Sequence, residues 1–342
     1  MCIRDSTNPD PVGFPARFFA PYVDASLYPA ARLGRIQQET GLDTYVLGFI
    51  VDADGSSCTP SWGTWYSLAT GPDAWDQGQQ YFLYDEIETL RANGGRVIVS
   101  FGGAANTPLA AACSSVEDLA QAYRDTLLTV HGAGATDIVV DFDIEGVWQN
   151  DVASLDRRNA ALLELVADPG LPDATLHIWW TLPVLPTGLT TEGLGVLRRA
   201  LDDGVPLAGV NVMTMNYGDG PAPNPSGQMG SYGIQAIESL KDQLAAEYSA
   251  RNVAKSDAEL WAMVGTTPMI GLNDVTSESF EISDAQQTLD FVQEHAVGRI
   301  GTWSLNRDHP CGSETVVRVD CSSTASQTSD WQFSLVFDGM TP

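Results

Sequence analysis

Positive charge is scarce in this sequence, and lysine is almost missing. Only 17 of the 342 residues are Lys or Arg, against 44 Asp and Glu, so the formal net charge is −27. Lys241 and Lys255 are the two lysines. No nucleic-acid partner is expected, because such a surface repels a phosphate backbone. The near absence of lysine indicates adaptation to high salt, where screening weakens the repulsion among surface carboxylates.

Long apolar runs are also missing. No run approaches the roughly 18 residues of a membrane-spanning helix, so no membrane partner is expected. The N-terminal "MCIRDSTNPDP" lacks the apolar core of a signal peptide. Its composition predicts that residues 1–16 are a linker, or a cloning or sequencing scar. The missing signal peptide is then no evidence about location.

The five cysteines and four histidines show no zinc-site spacing, so no metal is expected. With Cys2 set aside, four cysteines remain. Cys311–Cys321 would close a short loop and Cys58–Cys113 a long one. Two disulfides would imply a secreted, extracellular protein. The alternative is free thiols in a cytosolic protein.

Eight apolar, β-branched-rich runs alternate with helical patterns. Strands this apolar suit a parallel sheet that is buried on both faces. Eight βα units in roughly 300 residues predict a single TIM (β/α)8 barrel over residues 17–342. A doubly wound open sheet is the alternative, weakened because no Gly-rich phosphate fingerprint follows the first strand. The predicted strands are 17–24, 44–51, 96–103, 137–143, 175–183, 209–217, 260–268 and 299–306.

Three carboxylates, Asp141, Asp143 and Glu145, follow the apolar residues 138–140 at intervals of two. Residues two apart share one face of a strand, so all three should point into the barrel mouth. Anions about 6–7 Å apart repel one another, so at least one carboxyl should have a raised pKa. A protonated carboxyl beside an ionised one suits glycosidic cleavage. A solvated Asp-x-Asp loop or a cation site is the alternative.

"DFDIE" (141–145) resembles the Asp-x-x-Asp-x-Asp-x-Glu signature of glycoside hydrolase family 18, the chitinase family. "VSFGG" (99–103) is similar to the family's Ser-x-Gly-Gly strand, and "MNY" (215–217) to its Met-x-Tyr strand. "TWSLNRD" (302–308) resembles its last strand, which carries a sugar-stacking Trp. With "CTPSWG" and "TTPMIGLND", the set resembles the bacterial chitinase D-like branch over roughly residues 17–340.

The sequence departs from the family pattern at two places. The first Asp of the signature falls at Ile138, and Gly218 stands where many members have Asp after the Tyr. The residue that holds the acetamido nitrogen is therefore left open between Asn216, Asp219 and none.

The resemblance implies substrate-assisted, retaining hydrolysis of β-1,4 bonds between N-acetylglucosamine units. Glu145 would be the general acid and then the base. Asp143 would stabilise the oxazolinium ion that the substrate's 2-acetamido group forms. Asp141 would share a proton with Asp143, and Tyr217 would donate its hydroxyl to the acetamido oxygen. No cofactor is implied.

The resemblance also implies a set of binding residues. Trp303 would stack on a sugar, Tyr22 and Ser100 would bond Asp141, and Gly102 and Gly103 would let the backbone pass close to the cleft. The other candidates are Met215 and Asn216 after the sixth strand, and the loop aromatics Trp62, Trp65, Trp75 and Trp148 as stacking platforms. Loop packing is the alternative for each of these aromatics.

Residues 269–282, "MIGLNDVTSESFEI", leave no room for the large inserted subdomain of the family's exo-acting members. The expected protein is therefore an endo-acting, monomeric chitinase on chitin or chitooligosaccharides, with transglycosylation open. An endo-β-N-acetylglucosaminidase on N-glycans and a non-catalytic chitin-binding lectin are the alternatives.

Overall fold

The computed structural model describes residues 14–27, 29–68, 79–132, 134–168, 170, 174–311 and 316–340, with the side chains of 79–82 left out. Most of the predicted N-terminal linker or scar lies outside this part of the chain, as do Cys2 and Trp75. None of the helices described here is long and apolar enough to cross a membrane.

Thirteen strands lie within the described residues, and the longer ones coincide with the predicted apolar runs. They are β1 Phe18–Phe19, β2 Tyr22–Asp24, β3 Thr44–Asp52, β4 Pro60–Trp62, β5 Tyr66–Ser67, β6 Arg96–Gly102, β7 Asp137–Asp143, β8 Thr175–Pro183, β9 Leu207–Met213, β10 Val264–Thr267, β11 Gly271–Leu272, β12 Ser279–Phe280 and β13 Arg299–Ile300.

Helices follow most of the long strands. They are α1 Leu33–Thr40, α2 Gln79–Ala92, α3 Leu109–Ala112, α4 Val116–His131, α5 Val152–Ala167, α6 Thr191–Asp203, α7 Met229–Ala250, α8 Asp257–Ala262, α9 Ile282–His295 and α10 Gln332–Phe337. Local chemistry fixes their ends. Helix α4 begins after Ser115, whose side chain accepts the Asp118 N–H, and ends at Gly132, which has a positive φ.

The main sheet is parallel and is wound with helices between its strands. Its order is β1-β13-β10-β9-β8-β7-β6-β3-β4-β5, and β2 also pairs with β3. Only β4 and β5, which form the loop after β3, run antiparallel. Strand β7, with the three predicted acids, lies between β6 and β8. It is therefore central in the sheet.

The two edges of the sheet meet at the first strand segment. β1 pairs with β13 and β2 with β3, while Ala20 and Pro21 separate β1 from β2. Proline has no N–H to donate, so the ladder is interrupted there. The α/β fold of the TIM-barrel type is thus confirmed, whereas an uninterrupted closed barrel is not seen.

Two hydrophobic clusters pack the sheet on its two faces. The helix side carries the larger cluster, to which Phe142 and Ile144 belong. The inner side carries a small cluster of Phe18, Ala20, Tyr22, Val46, Ile98, Val139 and Trp179. Because neighbours in β7 alternate between these clusters, Asp141 and Asp143 face inward.

Two predicted strands have different bounds. The run 260–268 begins as helix, since α8 includes Leu260 and the strand starts at Val264. Ser256 and Glu259 form a capping box that favours helix over this stretch. The run 209–217 ends as a strand at Met213. Asn216 then takes a positive φ of 55°, so the extended backbone does not continue.

Both predicted disulfides are confirmed, Cys58–Cys113 and Cys311–Cys321. The first joins the loop after β3 to the end of α3. The second closes a ten-residue separation in the C-terminal segment.

Candidate active site

Strand β7 delivers three carboxyl groups at increasing exposure. Asp141 is fully buried and Asp143 is 5% exposed, whereas Glu145 lies just beyond the strand and is partly exposed. The register sets Asp141 beside Ser100 and Asp143 beside Gly102. The acids therefore form a row that runs from the interior of the sheet to its carboxyl edge, where barrel active sites lie.

A cavity of about 410 Å³ opens over this row. Its predicted wall residues are Tyr22, Asp143, Glu145, Met215, Asn216 and Trp303. Further wall residues, which the sequence did not single out as binding residues, include Phe49, Thr181, Thr267 and Asp274. A concave site with a few polar groups among apolar walls is the usual form of a small-ligand site.

Asp141 is held by four hydrogen bonds at the bottom of the row. Its Oδ2 accepts from the Tyr22 hydroxyl at 2.9 Å and from Ser100 at 2.6 Å. Its Oδ1 accepts from Thr181 at 2.7 Å and from Arg299 Nη1 at 2.7 Å. The Tyr22 and Ser100 contacts were predicted, but Thr181 and Arg299 were not. Four donors occupy all the lone-pair positions of a carboxylate.

The carboxyl groups of Asp143 and Glu145 are hydrogen-bonded to each other. Burial raises the pKa of Asp143 well above its usual range, and repulsion from Glu145 and then Asp141 raises it further. Burial likewise raises the pKa of Glu145 to about 6, while a hydrogen bond with Asp143 opposes that rise. The expected raised pKa is thus present. The hydrogen-bonded coupling joins Asp143 to Glu145, whereas the sequence predicted a shared proton between Asp143 and Asp141.

Gly102 and Gly103 let β6 end close against the acids. Both have positive φ, 113° and 88°. A Cβ on Gly102 would lie 2.0 Å from the Asp143 carbonyl oxygen, and one on Gly103 would lie 2.8 Å from the Phe49 ring. Only glycine fits both positions without moving the backbone or that ring.

Aromatic rings form one wall of the cavity. Trp303 stacks against Phe49 with ring centroids 5.7 Å apart and an interplanar angle of 24°, and Tyr22 packs against both rings. The peptide bonds Gly48–Phe49 and Trp303–Ser304 are both cis. Trp303 lies where the sequence predicted a sugar-stacking ring. Phe49 had no signal beyond a hydrophobic strand.

Tyr217 does not reach the cavity. It is 5% exposed, packs in the helix-side cluster against Tyr232, and its hydroxyl has no hydrogen-bond partner among the described residues. The resemblance implied that the Tyr217 hydroxyl reaches the acetamido oxygen, at the end of a strand predicted over residues 209–217, but β9 ends at Met213. The positive φ of Asn216 turns the chain, so Asn216 lines the cavity instead.

A short hairpin, β11–β12 (residues 271–280), supports the segment after β9. Glu278 accepts the N–H groups of Tyr217 at 3.1 Å and Gly218 at 2.7 Å. Asn216 donates to the Asp274 carboxylate at 3.2 Å and accepts from the Val275 N–H at 3.0 Å. The hairpin therefore fixes Asn216 and Asp274 together at the cavity wall.

The loop aromatics have different environments. Trp62 is fully buried and donates to the Tyr84 hydroxyl at 3.2 Å, so it offers no surface to a sugar and packs its loop instead. Trp65 is 76% exposed at the turn between β4 and β5. Trp148 is half-buried against the helix-side cluster and is not part of the cavity wall. Trp65 alone of these three presents a free ring.

Within the described residues, no three His, Cys, Asp or Glu side chains are grouped so that they could hold a metal ion.

Comparisons with known proteins gave no matching family model, but they gave clear relatives. A probable bifunctional chitinase/lysozyme of Escherichia coli K12 is 40% identical over 328 residues, which are 95% of this chain and 34% of that protein. Endochitinase 11 of Metarhizium anisopliae is 40% identical over 301 residues, 87% of this chain and 53% of that protein. The chain thus spans about a third and about half of these curated relatives.

A solved structure matches over almost the full length of both chains. It is a crystal structure of a catalytic-site mutant of active domain 2 of the thermostable chitinase from Pyrococcus furiosus, in complex with chito-oligosaccharides. It is 33% identical, has a TM-score of 0.77 and covers 95% of each chain.

Proposed function

Because the chain belongs to glycoside hydrolase family 18, the chitinases, we propose that it hydrolyses β-1,4 bonds between N-acetylglucosamine units in chitin or chitooligosaccharides. The observation that carries this proposal is the hydrogen-bonded Asp143–Glu145 pair that lines the same cavity as Trp303. A carboxyl pair with one proton between its members can act as an acid while it still offers a negative charge.

Glu145 is the general acid in this proposal. It lines the cavity at the most exposed end of the row, and near neutral pH the proton that it shares with Asp143 is the one it donates. The proton goes to the glycosidic oxygen as its bond to the anomeric carbon breaks. Glu145 then takes a proton from the water that completes hydrolysis.

The nucleophile is the carbonyl oxygen of the substrate's own 2-acetamido group. It attacks the anomeric carbon and closes an oxazolinium ring, which water opens with overall retention. Asp143 lies directly below Glu145 in the row, and its carboxylate can accept the acetamido N–H and balance the positive charge. The proton shared by the pair passes from Asp143 to Glu145. Asp143 is therefore a carboxylate when the oxazolinium ion forms.

The sugar at the cleavage point stacks on Trp303, beside Phe49, and lies over Met215. Asn216 and Asp274, fixed by the hairpin, supply polar contacts at the same wall. Tyr22, Ser100, Gly102 and Gly103 act from below by holding Asp141 and the strand ends. Trp65 and Trp148 are proposed as outer sugar contacts, and Tyr217 is not, because its hydroxyl is buried away from the cavity.

Endo-type cutting is proposed from the shape of the site. The segment from β10 to α9 has only the β11–β12 hairpin, and no large subdomain lies between them in the described residues. An open groove lets a polymer lie across the acids instead of entering by its end. The two disulfides support an extracellular location, and a monomer is proposed.

A time course on chitin oligomers of defined length, with the anomers resolved, tests this function. Internal cuts and β-anomeric new ends support endo-acting, retaining hydrolysis. α-Anomeric products would overturn the mechanism. Release of N-glycans with chitin oligomers untouched would select the endo-β-N-acetylglucosaminidase, and binding without any cleavage would select the lectin.

A further inference from the structure

A buried arginine lies beneath the catalytic pair. Arg299 is the first residue of β13, and its side chain is fully buried. A buried guanidinium is costly unless it is paired and hydrogen-bonded. Arg299 Nη1 donates to Asp141 Oδ1 at 2.7 Å, and Nη2 donates to the Tyr22 hydroxyl at 2.9 Å. Its central carbon lies 5.6 Å from the ring centroids of Tyr22 and Trp179, so the position is tightly defined.

The hydrogen-bond donors around Asp141 leave no place for a proton on it. Burial raises the pKa of Tyr22 well above its usual range, so its hydroxyl keeps its proton and donates it to Asp141. Thr181 accepts from the Asn211 amide at 3.0 Å and can therefore donate its own proton to Asp141. Ser100 and Arg299 supply the other two donors. A proton on Asp141 would have to displace one of these four.

Few other charges act on this cluster. The titratable groups that face it are Tyr22 from β2 and Asp143 and Glu145 from the β7 row. Among the described residues, the remaining strands around it supply only neutral polar groups, namely Ser100, Thr181, Asn211 and Thr267. Arg299 is thus the single cation among the described residues that bond Asp141.

We propose that Arg299 is a positioning residue for the reaction: it holds Asp141 as a carboxylate, so that the catalytic proton is shared by Asp143 and Glu145 alone. This inference rests on the proposed function. Without Arg299, the Asp141 charge has no counterion, and Asp143 loses the positive charge that opposes the rise of its pKa. The pair of Asp143 and Glu145 then spends less time in its reactive state, in which the two carboxyls share a single proton.

The test compares Arg299→Gln with Arg299→Lys by the pH dependence of kcat and KM on chitopentaose. Arg299 is not part of the cavity wall, so Arg299→Gln should lower kcat about tenfold or more while KM changes little. At low pH kcat falls, and this fall is the acid limb of the profile. Loss of the cation should move the acid limb to higher pH by about one unit. Arg299→Lys keeps the charge and should keep the limb at the wild-type position, even if kcat falls.

A double variant, Arg299→Gln with Asp141→Asn, covers the case in which Arg299→Gln does not fold. It removes both buried charges together, which is far less damaging than removing one. Because the Asp141 charge is gone, the acid limb of the double variant should lie at the same pH as that of the wild type or at a lower pH. A limb displaced upward would overturn the proposal.

The other outcomes separate the two claims. If the wild type is active and Arg299→Gln has the same acid limb, with activity lost only in proportion to the folded protein, the positioning role alone is overturned. A wild type that cleaves no amino-sugar polymer overturns the proposed function and this inference with it.

Discussion

Asp143 is a carboxyl group in surroundings that favour its neutral form. It is almost fully buried, lies between two other acids, and its Oδ1 has no hydrogen-bond partner among the described residues. A buried polar atom without a partner costs stability. A bound substrate can supply the missing hydrogen-bond donor. Asp143 therefore lowers the stability of the free protein in favour of its function.

Asp143→Asn should therefore stabilise the folded protein at neutral pH. The folded-state pKa of Asp143 is raised, so its favourable contribution is complete at low pH and is lost as the pH rises through that value. The unfolding free energy of the variant should exceed that of the wild type by about 0.5–2 kcal/mol at pH 7–8. The difference should shrink near pH 4.

Urea unfolding across this pH range measures the effect. Asp242→Asn is the matched control, since Asp242 is 82% exposed on α7. A gain that is the same at pH 4 and pH 8, or the same for both variants, would contradict the account of Asp143.

The pH dependence of activity belongs to the Asp143–Glu145 pair. The reaction as proposed needs one proton on the pair, and the pKa of Glu145 is about 6. The kcat/KM should fall as the pH drops below about 6, because both carboxyls are then protonated, and should fall again at high pH when the last proton leaves. A profile on chitopentaose from pH 4 to 10 tests this. A flat profile from pH 4 to 7 would contradict it.

The residues that sequence reasoning missed are ones whose neighbours are distant in the chain. Asp141 and Arg299 are 158 positions apart, and no local pattern links them. Phe49 similarly acquires its role only by stacking on Trp303. The acids of β7 were predictable because alternation within one strand already puts them on one face.

The site depends on elements that do not carry the acids. Two of the proposed binding side chains, Asn216 and Asp274, are held by the hairpin through Glu278 and the Asn216–Asp274 bond. Glu278 is 1% exposed, and burial raises its pKa while the backbone N–H groups that it accepts oppose that rise. A single buried carboxyl thus ties the end of β9 to the segment after β10.

Glu278→Gln should loosen this wall. The amide nitrogen of Gln cannot accept, so the N–H of Tyr217 or Gly218 is left without a partner. A buried unsatisfied donor costs about 1–3 kcal/mol of unfolding free energy. KM for chitin oligomers should rise several-fold, while kcat changes less because the β7 row is untouched. Thermal unfolding and steady-state kinetics measure both effects.

Ser277→Ala on the same hairpin is the control, because Ser277 is exposed and bonds only Asp219 among the described residues. It should leave KM near the wild-type value. Equal effects of the two substitutions would show that the Glu278 contacts do not hold the cavity wall.

Element ends were harder to predict than the elements. Alternation predicts Tyr217 in the cavity only if β9 continues past Met213, and the positive φ of Asn216 depends on contacts with the hairpin about 60 residues later. The helix α8 replaced the start of a predicted strand because its capping box outweighed a run of apolar residues. The predicted alternation of strands and helices is correct despite these two wrong boundaries, because it depends on hydrophobic patterns over many residues and not on where one element ends.

The whole molecule carries a charge that no local feature requires. At −27 for 342 residues, mutual repulsion among the surface carboxylates opposes the folded state. The Debye length falls from about 30 Å at 0.01 M salt to about 3 Å at 1 M, which removes most of that repulsion.

Stability should therefore increase with NaCl. The urea midpoint at pH 7 should rise between 0.01 and 1 M NaCl. The rise should be much smaller near pH 4.1, where the chain has little net charge. Equal midpoints at pH 7 in dilute buffer and in 1 M NaCl would remove the suggestion of adaptation to high salt.

The central claim is that Glu145 gives its proton to the glycosidic oxygen of a bound amino sugar. The most direct test measures turnover and affinity together, on chitopentaose, for Glu145→Gln and for Glu238→Gln on the exposed side of α7. Glu145→Gln should lose about 10²–10⁴-fold in kcat while its Kd stays close to that of the wild type, and Glu238→Gln should match the wild type in both. Turnover by Glu145→Gln at the wild-type rate would contradict the account.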